Sequence, residues 1–156
     1  MKNKPKLRAK QFSGQQYLNR FNIGFDLTQN PMVKNADFDK TFTQLKKVLE
    51  PFAAKLIVAA DTPTYYALET PHVMRNKRRL YFAGIKIGKA YVSYHLLPLY
   101  MCPEMQAEIS EVLKKRMQGK ACFNFSQPDE KLFKELGKLT RLGYKRFTSK
   151  DVYTKF

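Results

Sequence analysis

Cysteine is scarce: the 156-residue chain has two, Cys102 and Cys122, in different predicted elements. That argues against a disulfide framework, leaves at most one bridge, and points to a reducing, cytoplasmic setting. The two cysteines and the two histidines, His72 and His95, show none of the short Cys-x-x-Cys or His-x-x-x-His spacings of zinc sites. Long apolar runs are missing too. None approaches the roughly 18 residues of a membrane-spanning helix, so no membrane partner is expected, and no apolar secretory core precedes a small-residue cleavage site. A Gly-x-Ser-x-Gly elbow, a Walker A loop and an activating motif beside either cysteine are all absent. Gly84-Ile-Lys-Ile-Gly88 has only two glycines and sits within predicted strands, so it is no phosphate loop. The motifs therefore name no catalytic residue, no metal ligand and no cofactor.

Acidic residues are the other shortage. There are 29 Lys and Arg against 13 Asp and Glu, a formal charge of +16. Residues 1–25 and residues 72–101 each hold six basic side chains and no acid, and residues 137–156 hold six against one. Elsewhere the signs balance. Such a surface either keeps a small protein soluble or attracts polyanions and anionic ligands through salt-sensitive fields.

What is present reads as one α+β domain over residues 34–156, preceded by a basic, partly ordered arm over 1–33. Phe12, Tyr17, Phe21, Ile23, Phe25 and Leu27 suggest that the later part of the arm lies on the domain. Asp37 to Glu50 predicts a helix, with Phe38, Phe42, Leu45, Leu49 and Phe52 as its buried stripe and Pro51 to end or kink it. Short strands follow at Lys55–Ala60 and Thr64–Thr70, the latter ending at Pro71 with His72 in a loop. Pro103 to Met117 predicts a second helix, opened by Pro103 and stopped by Gly119, with Glu104, Glu108 and Glu111 on one face. Lys120–Phe125 is a last short strand. Ser126 and Asp129 resemble a capping box before a closing helix that Gly143 stops, and the tail allows one short edge strand. The order predicts an antiparallel sheet with helices packed on one face.

The centre of the chain is the hairpin Arg79 to Leu97. Gly88-Lys89 predicts a two-residue type II′ turn with Gly88 at positive φ. Along the second strand Tyr91, Ser93 and His95 point one way and Val92, Tyr94 and Leu96 the other. His95 with those hydroxyls, and with Asn124 and Cys122 if the strands adjoin, is either a ligand site or a half-buried histidine bonded to a neighbour. The candidate binding residues are Tyr91, Ser93 and His95, rimmed by Arg78, Arg79, Lys86 and Lys89. They suit a small anionic ligand, a metal species or an acidic protein partner without enzymatic chemistry. The alternative is nucleic acid, because Tyr81, Phe82, Tyr91 and Tyr94 interleave with the same cations as a stacking platform would.

The strand ending Tyr91-Val-Ser-Tyr-His-Leu-Leu97, the segment Gly119-Lys-Ala-Cys-Phe-Asn-Phe125 and the acidic opening Pro128-Asp-Glu130 resemble the YdhG-like family of small bacterial domains. The resemblance covers about residues 38–143. It implies a frataxin-like fold, and iron as a possible ligand, since some members are described as intracellular iron chaperones.

Overall fold

The computed structural model describes residues 36–148. Helix α1 spans Ala36–Ala53, and its stripe of Phe38, Phe42, Leu45, Leu49 and Phe52 is buried as the spacing predicts. Pro51 does not end it. The ring removes one backbone donor in the last turn only, while Phe52, packed 6.2 Å from Phe82 and 5.7 Å from Tyr144, holds that turn in place.

Six strands follow: β1 (Ile57–Asp61), β2 (Tyr65–Val73), β3 (Arg79–Ile87), β4 (Val92–Leu96), β5 (Met117–Gln118) and β6 (Cys122–Phe125). They form one antiparallel sheet in the order β1-β2-β3-β4-β6-β5. The β1–β2 register shifts between Val58 and Ala60. Strand β2 continues through Pro71, which falls within a register shift between Glu69 and Val73, where a missing donor is tolerated. His72 is thus a strand residue rather than a loop residue.

The β3–β4 connection is longer than the predicted turn. Ile87 pairs with Val92, so Gly88 to Tyr91 form the loop, closed by the Gly88 N–H donating to the Tyr91 carbonyl at 2.8 Å. Gly88 has no positive φ; among the described residues Gly119, at 73°, is the glycine that does. The pairing of Tyr94 with Ile85 and Phe123, and its hydroxyl contact with Thr140 at 2.7 Å, fix a register two residues away from the tight turn.

The predicted helix over 103–117 is broken. After α2 (Pro98–Met101), Pro103–Glu108 forms a 3-10 turn, and α3 is only Glu111–Lys114. Ile109 is extended between them, at φ −88° and ψ 123°. Ser110 wins the competition for the backbone. Its hydroxyl accepts from Leu113 N–H at 3.2 Å, and its own N–H and hydroxyl donate to Glu135 at 2.8 Å each. Met105, Ile109 and Leu113 are buried, but Val112 is 61% exposed.

Helix α4 spans Glu130–Phe147, capped by Asp129 rather than Ser126: the Asp129 carboxylate accepts from Leu132 N–H at 3.1 Å. Gly143 does not stop it. A Cβ there would lie 2.9 Å from Pro98 Cβ, so the glycine lets α2 approach closely. Helices α1 and α4 cover one face of the sheet over Leu68, Phe82, Ile85, Tyr94 and Phe123. The molecule is α+β, with helices on a six-stranded antiparallel sheet. No described helix is long and apolar enough to cross a membrane. The arm over 1–33 and the tail beyond 148 lie outside the described residues.

Candidate functional site

Strand alternation sends Ser93 and His95 away from the helices, and the register gives them neighbours. Lys86, Ser93 and Asn124 lie side by side across β3, β4 and β6; Gly84, His95 and Cys122 form the next row. Ser93 Oγ donates to Asn124 Oδ1 at 2.7 Å, and Asn124 Nδ2 donates to Gln118 Oε1 at 2.8 Å. The Tyr81 ring lies 5.4 Å from His95, and its hydroxyl sits where a Cβ on Gly84 would be. The neighbourhood of His95, Asn124 and Cys122 is therefore real.

Its electrostatics are those of a dry surface. His95 is 7% exposed, and burial pushes its imidazole down to about 4. The ring is neutral at pH 7, and its buried Nδ1 has no hydrogen-bond partner. Burial pushes the Cys122 thiol up to about 11, against a lowering hydrogen bond from Ser93. It also raises the Tyr81 hydroxyl well above its ordinary value and lowers Lys86. A protonated thiol and a neutral imidazole offer a small ligand hydrogen bonds rather than a nucleophile or a titrating base near pH 7.

The rest of the predicted set does not join them. Tyr91 is in the loop and 49% exposed, with Lys89 beside it. Arg78 and Arg79 stand at the opposite end of β3 from Lys86, roughly 23 Å away at 3.3 Å per residue. Of the four aromatic residues offered for stacking, Phe82 and Tyr94 are fully buried under the helices. Glu104 and Glu111 sit in separate turns and pair with Arg146 at 2.6 Å and Lys114 at 2.7 Å. Among the described residues no three His, Cys, Asp or Glu side chains gather as they would to hold a metal ion.

A second site lies on the helical side. Helices α1 and α4 run in the same direction, with Val48 beside Gly137 and Phe52 beside Tyr144. Between them is a groove of about 960 Å³. On α1 it is lined at positions 44, 47, 48, 51 and 52, with 55 just beyond the helix end; on α4 at 130, 133, 134, 137, 138, 141, 144 and 145. Both sets follow helical three- and four-residue steps, so each is one stripe adjoining the core stripe. Lys47, Lys55, Lys134, Lys138, Arg141 and Lys145 line it against one acid, Glu130. None of the six makes an ion pair among the described residues. Lys55 Nζ instead lies 5.7 Å from the centroid of the Tyr144 ring.

Sequence reasoning passes over this groove because each lysine alone reads as a solvated helix face. The available signal is the pair of stripes, and it becomes a site only once α1 is known to lie beside α4. No family model, curated protein or solved structure matches this chain.

Proposed function

We propose that the chain is a non-enzymatic binding domain for an acidic partner, and that the α1–α4 groove is where the partner sits. The observation behind the reading is six cations round one groove without ion-pair partners among the described residues. Lys134, Lys138, Arg141 and Lys145 stand three and four positions apart along α4, close enough for like charges to repel, and a negatively charged partner turns that repulsion into attraction. The resemblance to YdhG-like and frataxin-like domains belongs to the same proposal. An antiparallel sheet with helices packed on one face is the arrangement the resemblance implies, and it supports the resemblance at the level of fold class alone. Iron handling has less behind it, since Glu104 and Glu111 are each matched by a cation. A cytoplasmic setting is proposed on the two buried cysteines, which no disulfide joins.

A small anion on the polar sheet face, at Lys86 and Ser93, is the second reading. The burial that lowers Lys86 is what favours it, because a bound anion would offset the cost of holding the ammonium partly out of water. Nucleic acid on that face has less behind it, with Phe82 and Tyr94 turned into the core.

The two sites separate in one experiment. A fluorescent oligoglutamate probe is titrated into the full chain, into K134Q/K138Q/R141Q and into K86Q at several salt concentrations. The triple variant should bind weakly with a flattened salt dependence, and K86Q should bind as wild type does. The reverse pattern would move the site to the sheet.

A further inference from the structure

The groove presents two chemistries at once. Its rims are cationic, but its floor is Val48, Pro51 and Phe52 of α1 with Phe133, Gly137 and Tyr144 of α4. A polyanion without apolar groups would satisfy the rims and leave the accessible part of that floor, Val48, Pro51, Gly137 and Tyr144, in water. The floor is also a poor platform for bases. Phe52 and Phe133 are 8% and 6% exposed, and the Tyr144 ring is engaged by Lys55, Phe52 and Phe82.

Gly137 distinguishes the occupant further. Glycine inside a helix weakens it unless the fold gains something in return. Elsewhere in α4 the answer is packing, since a Cβ at Gly143 would press on Pro98. At Gly137 a Cβ would meet only Val48 Cγ1, at 3.8 Å, an ordinary contact. Nothing in the described fold requires glycine there. Its effect is a notch in the groove floor, open to the helix backbone, where a side chain from outside can seat.

The dimensions fit a helix. The lining runs over positions 44–52 of α1, with Lys55 just beyond the helix end, and over 130–145 of α4. At 1.5 Å per residue that is about 12 and about 22 Å, or two to four helical turns. We infer that the groove docks an acidic amphipathic helix of a partner protein. Apolar residues of that helix, recurring at three- and four-residue steps, seat on the floor and in the Gly137 notch, while its carboxylates face the six cations. The inference rests on the groove being the acidic-partner site and adds the partner's secondary structure and its apolar face.

The test selects phage-displayed random peptides of about 16 residues, the groove's length, against the full chain. Recovered peptides are then measured by fluorescence anisotropy on wild type, G137L and K134E/K138E/R141E. A scrambled peptide of equal composition and a single-stranded oligonucleotide serve as comparators, and thermal melts check folding. The expected peptides are acidic, with apolar residues at helical spacing, and bind wild type about tenfold tighter than they bind G137L and tenfold tighter than the scrambled peptide binds wild type. Should G137L fail to fold, K138E, altered at an exposed position, must show the loss instead. Acidic peptides without apolar periodicity, or indifference to both scrambling and G137L, would overturn the helix and leave the acidic-partner site standing. Peptides unaffected by the triple charge reversal would overturn both. An oligonucleotide that binds tighter than the peptides and displaces them would assign the groove to nucleic acid, and recovery of no peptide would also reject the inference.

Discussion

The Tyr94 hydroxyl donates its proton to Thr140. The threonine Oγ1 lies 2.7 Å from the phenol oxygen and 2.7 Å from the Leu136 carbonyl, which has no proton of its own to give. The threonine proton therefore goes to the carbonyl and the tyrosine proton to the threonine. This two-bond relay joins the middle of the sheet to the middle of α4 where both side chains are fully buried.

Its direction makes the two deletions unequal. Tyr94→Phe removes a donor and leaves an acceptor, at a cost of about 1 kcal/mol; Thr140→Val strands a buried hydroxyl, at about 1–3 kcal/mol. The double variant should lose less than the sum of the two. Denaturant unfolding of all four proteins checks the cycle, and strict additivity would contradict the relay.

His95 makes stability depend on pH in one sense. Its folded-state pKa of about 4 lies below the ordinary value of 6.5, so between those limits the unfolded chain takes up a proton that the folded chain refuses. Stability is full above pH 6.5, falls as pH drops towards 4, and gains no further loss from this group below. The total is roughly 3 kcal/mol. His95→Gln should flatten that part of the curve. An imidazole titrating near 6.5 by NMR would show the ring to be exposed.

Two glycines of one helix should respond in opposite directions to alanine. Gly137→Ala adds a methyl at an ordinary contact distance and should raise stability by about 0.5–1 kcal/mol. Gly143→Ala drives a methyl into Pro98 and should lower it by about 1–3 kcal/mol. Melting temperatures of the two variants suffice for the comparison.

Gly84→Ala should be among the most damaging small substitutions. The new methyl collides with the Tyr81 hydroxyl and comes within 2.8 Å of the Tyr66 carbonyl. A loss of about 1–3 kcal/mol is expected. Tyr81→Phe in the same chain should recover part of it, because it removes the side-chain clash and leaves the backbone one. Equal melting of the single and double variants would mean that Tyr81 does not lie over Gly84.

Most of the architecture was legible because it depends on period. The stripe of α1, the alternation along β4 and the two faces of β6 follow from spacing alone, and tertiary structure agrees with them. The misses share a cause: a local signal lost to a partner far away in sequence. Ser110 breaks the second predicted helix with help from Glu135, Gly143 serves Pro98 rather than a helix end, and Tyr94 sets the hairpin register through Thr140. The site divides in the same way. Ser93, His95, Asn124 and Cys122 come together by strand parity and a single adjacency. Arg78 and Arg79 are distant from Lys86 because sequence proximity along a strand is physical length. The groove needs two helices more than 70 positions apart to be neighbours, which no local pattern encodes.

The margins of the sheet determine how such a chain keeps to itself. Strand β1 is its outer strand at one side and carries Ile57 and Val58 at 38% and 44% exposure, the kind of ribbon that recruits a second copy into a fibre. The register shift between Val58 and Ala60 bends that ribbon away from the flat geometry a second strand would need, and Asp61, tied to Lys46 at 2.6 Å, ends it in charge. At the other side β5 is two residues long, too short to template anything. Among the described residues, one border is made uninviting by shape and the other by brevity, so neither outer strand offers a ready template to a further strand.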